Sequence, residues 1–304
     1  MKPKIVVTKN LHLYENQIKR LESLGKVTYY QDNPKSAEEW LQRCRGADII
    51  CTGIFGANSD KLYQLKKVFV SLPFVGVEFL DKKKLKQNSI VVANSPGCNQ
   101  EAVSEWIIGM LLMYFRRLAQ LTRTTDLPKD DILKTATSLY NKKITILGAG
   151  NIGKQLEKIC KSLGMNVTFF KRRDNLLKLV KDADVIANCL STNESSISLL
   201  DKKFFSSLKR GSFFISIART QTYDVNALKE ALDKGILIGA ADDASGAEVG
   251  NVNDPQYRML LNHPKIMVTP HIAWNSNIEI GKSNDMMIDN IEAWIKKKPI
   301  NLIK

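Results

Sequence analysis

The chain has 304 residues, of which 44% are apolar and 25% are charged. This composition excludes a disordered chain, which would be poorer in apolar residues, and a fibrous one, which would show a Gly or Pro period. The length is sufficient for about two domains, each able to bury a full core.

The charge of the chain is strongly positive. Its 45 basic residues exceed its 31 acidic ones, which gives a formal net charge of +14. The excess is dispersed, with its densest runs at residues 82–84, 171–173 and 296–298. Because nucleic-acid binding needs a clustered basic face, the pattern favours small anionic partners or solubility alone. We expect no nucleic-acid partner.

The five cysteines are odd in number and far apart, with no C-x-x-C pair. This spacing predicts reduced thiols and neither a disulfide framework nor a metal site.

The first apolar run is too short for a signal peptide, and the longest, at residues 106–115, is about half a membrane span. We therefore expect a soluble cytoplasmic protein without a membrane partner.

Strand and helix signals alternate from the beginning of the chain. Strands are predicted at residues 4–8, 27–30, 48–52, 68–72 and 90–93, and helices at residues 15–24, 37–44 and 59–65. Alternation of this kind predicts an α/β unit with a parallel sheet that is covered on both faces.

The pattern breaks at residues 95–97 and then resumes. A long amphipathic helix is predicted at residues 100–121, followed by a polar loop around residues 126–131. Strands then follow at residues 143–147, 167–170, 185–190, 212–217, 236–241 and 266–269. Helices are predicted at residues 152–163, 226–234 and 277–296, the second of them ending at Gly235 as a left-handed residue would end it. We predict two α/β domains in series, residues 1–98 with 275–304 and residues 99–274.

Residues 143–153 predict a strand that runs into G-x-G-x-x-G and then a helix. Gly148 permits the tight turn, Gly150 lets the backbone approach a pyrophosphate, and Gly153 allows close packing of helix on strand. The helix start at Asn151 and Ile152 supplies amide donors and a positive dipole. The context of strand, loop and helix favours dinucleotide binding over a chance Gly-rich turn.

The position about 20 residues further on usually carries an acidic residue that binds the ribose 2′-hydroxyl. Here it carries Lys171, Arg172 and Arg173. A carboxylate would repel a 2′-phosphate, whereas guanidinium groups pair with it. We predict NADP(H) in preference to NAD(H). A solvated basic loop, with NAD(H) as the coenzyme, is the alternative.

Three polar residues lie at or beyond the carboxyl ends of predicted strands in the second unit: Arg219, Glu248 and His271. Ligand chemistry in open α/β sheets occurs at that edge. Each residue also has a purely structural alternative. Arg219 could form a surface ion pair, His271 could cap a chain end, and Glu248 could be a solvated loop acid.

The set resembles the D-isomer-specific 2-hydroxyacid dehydrogenase family, and the similarity extends over nearly the whole chain. The matching segments are FVGVEFLD at 74–81, NSPGCN at 94–99, AVSE at 102–105, GAGNIG at 148–153, IART at 217–220, GAADD at 239–243 and TPHIA at 269–273. Trp274, which follows, resembles what glyoxylate/hydroxypyruvate reductases carry. Departures from the family pattern are Val249 and Ser191, where Pro is usual, and Phe74, where Gly is common.

The resemblance implies two doubly wound parallel-sheet domains, a flavodoxin-like substrate domain and a Rossmann dinucleotide-binding domain, with a cleft between them and usually a homodimer. It implies that Arg219 holds the substrate carboxylate, that His271 is the general acid or base, and that Glu248 hydrogen-bonds to His271. The implied substrate-binding residues are Val75, Gly76, Val77 and Asn99. The implied coenzyme contacts, besides the glycine loop, are Cys189, Ser191, Ile217 and Asp243.

Elementary chemistry agrees with these roles. Hydride arriving at a carbonyl carbon leaves alkoxide character on the oxygen, so a proton donor such as His must be in reach. A neighbouring carboxylate favours the imidazolium, and Arg supplies a permanent planar cation for a 2-oxo acid. The leading hypothesis is an NADPH-dependent reductase of a small 2-oxo acid, glyoxylate or hydroxypyruvate. The alternatives are a catalytically silent nucleotide-sensing protein and a dehydrogenase of formate or phosphite.

Overall fold

A computed structural model of the chain describes residues 2–122, 136–171, 173–244 and 249–303. It divides into two compact units, Met1–Asn99 with Asn275–Lys304, and Gln100–Trp274. The predicted polar loop at residues 126–131 lies outside the described residues, as do Arg172 and Glu248.

The described part of the first unit is built on a parallel sheet with the strand order β2-β1-β3-β4-β5. The strands are β1 Lys4–Val7, β2 Lys26–Tyr29, β3 Ile49–Cys51, β4 Phe69–Ser71 and β5 Val91–Ala93. The helices are α1 Glu15–Leu24, α2 Ala37–Cys44, α3 Ile54–Ala57, α4 Lys82–Gln87 and, from the carboxyl-terminal segment, α12 Asn277–Ile295, with a 3₁₀ turn at Asp60–Gln64.

Helix α12 packs against this sheet although it follows the whole second unit in the chain. The rings of Phe69 and Trp294 are stacked with their centroids 4.6 Å apart. The Ser71 hydroxyl donates to the Met287 carbonyl over 2.8 Å. Ile288 and Ile291 are fully buried in the same cluster. The last 30 residues therefore supply part of the core of the first unit.

The second unit contains a parallel sheet with the order β11-β10-β9-β8-β6-β7 in its described residues. The strands are β6 Lys143–Leu147, β7 Asn166–Phe170, β8 Val185–Asn188, β9 Ser212–Ser216, β10 Leu237–Asp242 and β11 Ile266–Val268. The helices are α5 Gln100–Phe115, α6 Leu118–Leu121, α7 Asn151–Ser162, α8 Leu176–Val180, α9 Lys202–Ser206, α10 Val225–Asp233 and α11 Pro255–Leu261, with a 3₁₀ turn at Thr220–Thr222.

Both sheets confirm the predicted α/β class. Strand β9 is buried at every residue, as expected for a parallel strand that is covered on both faces. Side-chain caps fix the starts of several helices: Asp224, for example, accepts from the amides of Asn226 and Ala227 before α10. Gly235 has φ +64 just beyond α10, which confirms the predicted left-handed residue.

Three details of the sequence prediction were wrong. The helix predicted at residues 100–121 is two helices, because Arg117 adopts φ +54 and interrupts it. The helix predicted at residues 59–65 is the 3₁₀ turn. The short helices α3, α4, α8, α9 and α11 were missed, since four to seven residues are too few to show a helical period.

Candidate active site

The glycine loop follows β6 and has little room for side chains. Gly148 has φ +110, and a Cβ there would lie 2.5 Å from the Cys189 carbonyl oxygen. A Cβ on Gly153 would collide with the Gly148 carbonyl oxygen, whereas Gly150 faces open space. Gly148 and Gly153 therefore serve the local packing, and Gly150 leaves the backbone accessible to a ligand.

Helix α7 begins at this loop with Gly150 as its N-cap and without a side-chain cap. Within the described residues, the N–H groups of Asn151, Ile152 and Gly153 take part in no hydrogen bond. Such a helix start binds anions through its unpaired amides and its dipole. The loop also lies between the neighbouring strands β6 and β8, where the strand order reverses. These residues fit the pyrophosphate of a dinucleotide.

Lys171 directly follows β7, the strand next to the glycine loop. The side chains of Lys171 and Arg173 are exposed and have no ion-pair partner in the described part of the chain. Asp174, which the sequence analysis did not consider, accepts from the Lys171 backbone N–H over 2.8 Å through Oδ2. The described loop therefore presents two cations and turns its nearest carboxylate toward its own backbone.

The other predicted coenzyme contacts lie in loops at the same edge of the sheet. The Cys189 amide donates to the Leu147 carbonyl over 2.9 Å, and the Ile217 amide donates to the Asn188 carbonyl over 3.1 Å. The Ser191 carbonyl accepts from the Ser196 hydroxyl over 2.7 Å. These bonds hold the loops that follow β8 and β9 beside the glycine loop after β6.

Arg219 and His271 come together at the carboxyl edge of this sheet. The Arg219 Nη1 atom lies 3.4 Å from Nε2 of His271, and both residues are half-buried. Arg219 precedes the 3₁₀ turn after β9, and its carbonyl accepts from the Thr222 hydroxyl over 2.8 Å. His271 follows β11 with φ +55. Two residues predicted from separate motifs thus share one site.

The buried carboxylate of Asp243 holds the loop that carries His271. Its Oδ1 accepts from the Thr269 hydroxyl at 2.6 Å and from the Ile272 amide at 2.9 Å. Its Oδ2 accepts from the Ala273 amide over 2.9 Å. The His271 amide donates to the Asp243 carbonyl over 2.7 Å.

Burial raises the pKa of the Asp243 carboxyl to about 6, although these hydrogen bonds and the charge of Arg219 act in the opposite direction. The geometry therefore gives Asp243 a role that the sequence analysis missed, the support of the histidine loop. Its predicted contact with the coenzyme stays a prediction.

Trp274 is a second support of the same loop. Its indole N–H donates to the His271 carbonyl over 3.0 Å. The sequence analysis used Trp274 only as a mark of resemblance. The sequence carried one signal for this contact. The indole N–H of Trp274 is a donor only three residues after the predicted catalytic His.

The predicted substrate-binding residues of the first unit lie around β4 and β5. The loop after β4 contains Val75, Gly76 and Val77, and the Asn94 side-chain amide donates to the Val75 carbonyl over 2.7 Å. The N–H groups of residues 75–77 make no hydrogen bond in the part of the chain that the structure describes. Consecutive unpaired amides can bind an anion. The Oδ1 atom of Asn99 is buried, also without a partner among the described residues.

His263 is structural. Its Nδ1 accepts from the Lys265 amide over 3.2 Å, and its Nε2 lies 3.2 Å from Oδ1 of Asp233. The described residues form no group of three His, Cys, Asp or Glu side chains suited to a metal ion. Among the described residues, no helix has both the length and the apolar character that spanning a membrane requires.

Comparison with known proteins places these observations in a family. The family model "D-isomer specific 2-hydroxyacid dehydrogenase, NAD binding domain" matches residues 108–273. The chain is 27% identical to a glycerate dehydrogenase of Methylorubrum extorquens over 282 residues, 88% of each chain. It is 28% identical to a D-lactate dehydrogenase of Staphylococcus aureus over 265 residues, 78% of this chain and 80% of that protein.

Among solved structures, an acyclic imino acid reductase in complex with NADPH and D-Arg superposes with a TM-score of 0.82. The two are 22% identical, and the match covers 99% of this chain and 100% of the other. The chain belongs to the D-isomer specific 2-hydroxyacid dehydrogenase family. It is an NAD(P)-dependent 2-hydroxyacid dehydrogenase, which in the reverse direction is a 2-oxo acid reductase.

Proposed function

We propose that this enzyme uses NADPH to reduce a small 2-oxo acid to the D-2-hydroxy acid, with glyoxylate and hydroxypyruvate as the first candidates. The observation that carries the proposal is the 3.4 Å separation between Arg219 Nη1 and His271 Nε2. Two donors so close together can both reach the 2-oxo oxygen of a bound substrate. A 2-oxo acid needs both, because its carboxylate requires a cation and its reduced oxygen requires a proton.

The residues divide the chemistry between them. When bound, the reduced nicotinamide supplies the hydride that the 2-oxo carbon accepts. Arg219 binds the substrate carboxylate and stabilises negative charge that develops on the 2-oxo oxygen. His271 donates a proton from Nε2 to that oxygen, and in the oxidative direction it accepts the proton. Glu248 keeps its predicted role as the hydrogen-bond partner of His271.

Residues of the second unit would hold the coenzyme. The amides of α7 and the open backbone at Gly150 suit the pyrophosphate, with Asn151 and Ile152 at the helix start. The exposed cations of Lys171 and Arg173 suit a 2′-phosphate, and Arg172 is proposed to act with them. Cys189, Ser191, Ile217 and Asp243 are the further contacts that we propose.

Residues of the first unit would contribute to substrate binding. The amides of Val75, Gly76 and Val77 are suited to a carboxylate, and the Oδ1 of Asn99 can accept a hydrogen bond, since none of these groups has a partner among the described residues. These contacts distinguish a carboxylate substrate from a neutral carbonyl compound, which would leave the amides unpaired.

A matrix of substrates against coenzymes tests the proposal. We expect NADPH oxidation with glyoxylate or hydroxypyruvate, and a lower KM for NADPH than for NADH. Turnover of formate or phosphite in place of every 2-oxo acid would overturn the substrate class. A purified protein without any turnover would support a nucleotide-sensing role instead.

The coenzyme preference has its own variants. Lys171→Ser and Arg173→Ser should raise the KM for NADPH and leave the KM for NADH unchanged, because NADH has no 2′-phosphate. Lys181→Ser, which removes another exposed cation of the same unit, is the matched control. A KM for NADH at or below that for NADPH in the wild type would overturn the assignment.

We also propose a homodimer, which sedimentation equilibrium tests.

A further inference from the structure

Two consecutive carboxyl groups lie at the carboxyl end of β10, the strand between β9 and β11. Asp242 is the last residue of β10, and Asp243 follows it. Neighbouring residues of a strand direct their side chains to opposite faces. The Asp243 side chain holds the histidine loop on one face. The Asp242 side chain holds a different segment on the other face.

That segment is the 3₁₀ turn that begins after Arg219. Asp242 is 1% exposed, and its Oδ2 accepts from the Tyr223 hydroxyl over 2.8 Å. Its Oδ1 accepts from the Ala244 amide over 2.6 Å. Tyr223 is the residue at the carboxyl end of the turn Thr220–Thr222, and Arg219 is the residue at its amino end. The carboxylate therefore fixes the far end of the turn that positions the arginine.

Buried polar groups extend this contact to the arginine backbone. The Asn188 side-chain amide donates to the Thr222 hydroxyl over 3.0 Å, and that hydroxyl donates to the Arg219 carbonyl over 2.8 Å. The same Asn188 amide donates to the Ser216 hydroxyl over 3.4 Å. The carboxyl end of the turn thus has two side-chain hydrogen bonds to the sheet edge, and the Thr222 hydroxyl links that end to the Arg219 carbonyl.

We propose that Asp242 and Tyr223 are a positioning pair, which holds Arg219 at its separation from His271. The inference rests on the proposed function, because it assigns the pair to the binding of the 2-oxo acid. A carboxyl group at this place is costly, since burial raises its pKa to about 7 while the Tyr223 hydrogen bond lowers it. An apolar side chain would fill the core without that cost but would not bind the turn.

The first test removes one hydroxyl. Tyr223→Phe should raise the KM for the 2-oxo acid and lower kcat/KM about tenfold, with the KM for NADPH unchanged, because one hydrogen bond to a charged group is lost. Tyr114→Phe is the matched control, since its hydroxyl donates to the Ile238 carbonyl near the opposite end of β10 over 2.6 Å. Equal effects of the two variants, or a change confined to the unfolding temperature, would refute the pair.

The carboxylate is tested by comparing two replacements. Asp242→Asn keeps one carbonyl acceptor and should retain more kcat/KM than Asp242→Leu, which leaves both donors unpaired. Binding of oxamate, an unreactive 2-oxo acid analogue, to the NADPH complex should weaken in the same order. Indistinguishable oxamate affinities would overturn the inference.

Crystal structures of the two tyrosine variants separate this inference from the proposed function. In Tyr223→Phe the distance from Arg219 Nη1 to His271 Nε2 should lengthen, and in Tyr114→Phe it should stay near 3.4 Å. An unchanged distance in Tyr223→Phe refutes the pair, whatever the substrate is. A wild-type enzyme that reduces no 2-oxo acid refutes the proposed function, and the distances still decide the pair.

Discussion

Arg219 and His271 lie side by side although 52 positions separate them in the chain. They follow β9 and β11, which are not neighbours, because β10 lies between them in the sheet. The two side chains meet beyond the carboxyl end of β10. Asp242 and Asp243, at that end, bind the arginine turn and the histidine loop respectively.

Arg219→Lys should lower kcat/KM for the 2-oxo acid about a hundredfold, because a single ammonium cannot replace the planar guanidinium at a carboxylate. Steady-state kinetics measures the loss. Arg210→Lys is the control, since the Arg210 guanidinium binds the Lys234 carbonyl in the same unit. An unchanged kcat/KM in Arg219→Lys would contradict the assigned anchor.

His271→Asn should lower kcat by about 10²–10⁴-fold, as expected for the loss of a general acid. Asn is chosen because it tolerates the left-handed backbone at φ +55 better than Ala does. His263→Gln disturbs a histidine that is bound to Asp233, so it should lower the unfolding temperature and leave kcat almost unchanged. Near-normal kcat in His271→Asn would remove this residue from the mechanism.

Gly150→Ala and Gly153→Ala should differ in kind. A Cβ at position 153 collides with the Gly148 carbonyl, so this variant should lose both thermal stability and coenzyme affinity. A Cβ at position 150 meets no atom of the described residues within 4 Å, so this variant should fold normally and bind coenzyme at least about tenfold more weakly. Thermal unfolding and coenzyme fluorescence report the two properties. Normal coenzyme binding by Gly150→Ala would argue against the backbone approach.

Glu279 should make the first unit less stable as the pH rises. Its carboxylate is buried and accepts from the Cys98 thiol over 3.5 Å. Burial raises its pKa from 4.5 to about 7, and the thiol hydrogen bond lowers it less. Between these two values the folded chain keeps a proton that the unfolded chain has lost, so stability falls over this range.

Glu279→Gln should therefore raise the unfolding temperature by a few degrees (~2–4 °C per kcal/mol) at pH 8 and have little effect at pH 4.5. Calorimetry at both pH values measures the difference. Glu15→Gln, at a carboxylate that is 83% exposed, should change the temperature little at either pH. A variant equally or less stable than the wild type at pH 8 would contradict the buried charge.

Much of the fold was predictable, because the strands of both sheets are short apolar runs separated by helical periods. The pattern of β6, the glycine loop and α7 carried its own signal, since Gly148 and Gly153 have local steric reasons and Gly150 leaves the backbone open to a ligand. The break at Arg117 did not, because a left-handed Arg has no composition signal.

The site was predictable only in part. Arg219 and His271 could be found because their residue types and strand-end positions indicate chemistry. Asp242 and Tyr223 could not be found, because only the hydrogen bond between them reveals their role. That bond joins residues 19 positions apart in the chain. The support that Asp243 gives to the histidine loop depends on the same kind of tertiary contact.

Helix α12 has a consequence for synthesis of the chain. The ribosome produces residues 100–274 in full before it produces the helix that buries Phe69 and Ser71. The six-stranded sheet can therefore assemble while the part of the five-stranded sheet that α12 covers is still exposed. Nascent chains arrested before Asn277 should bind general chaperones through that part, and release of the completed protein should end the binding.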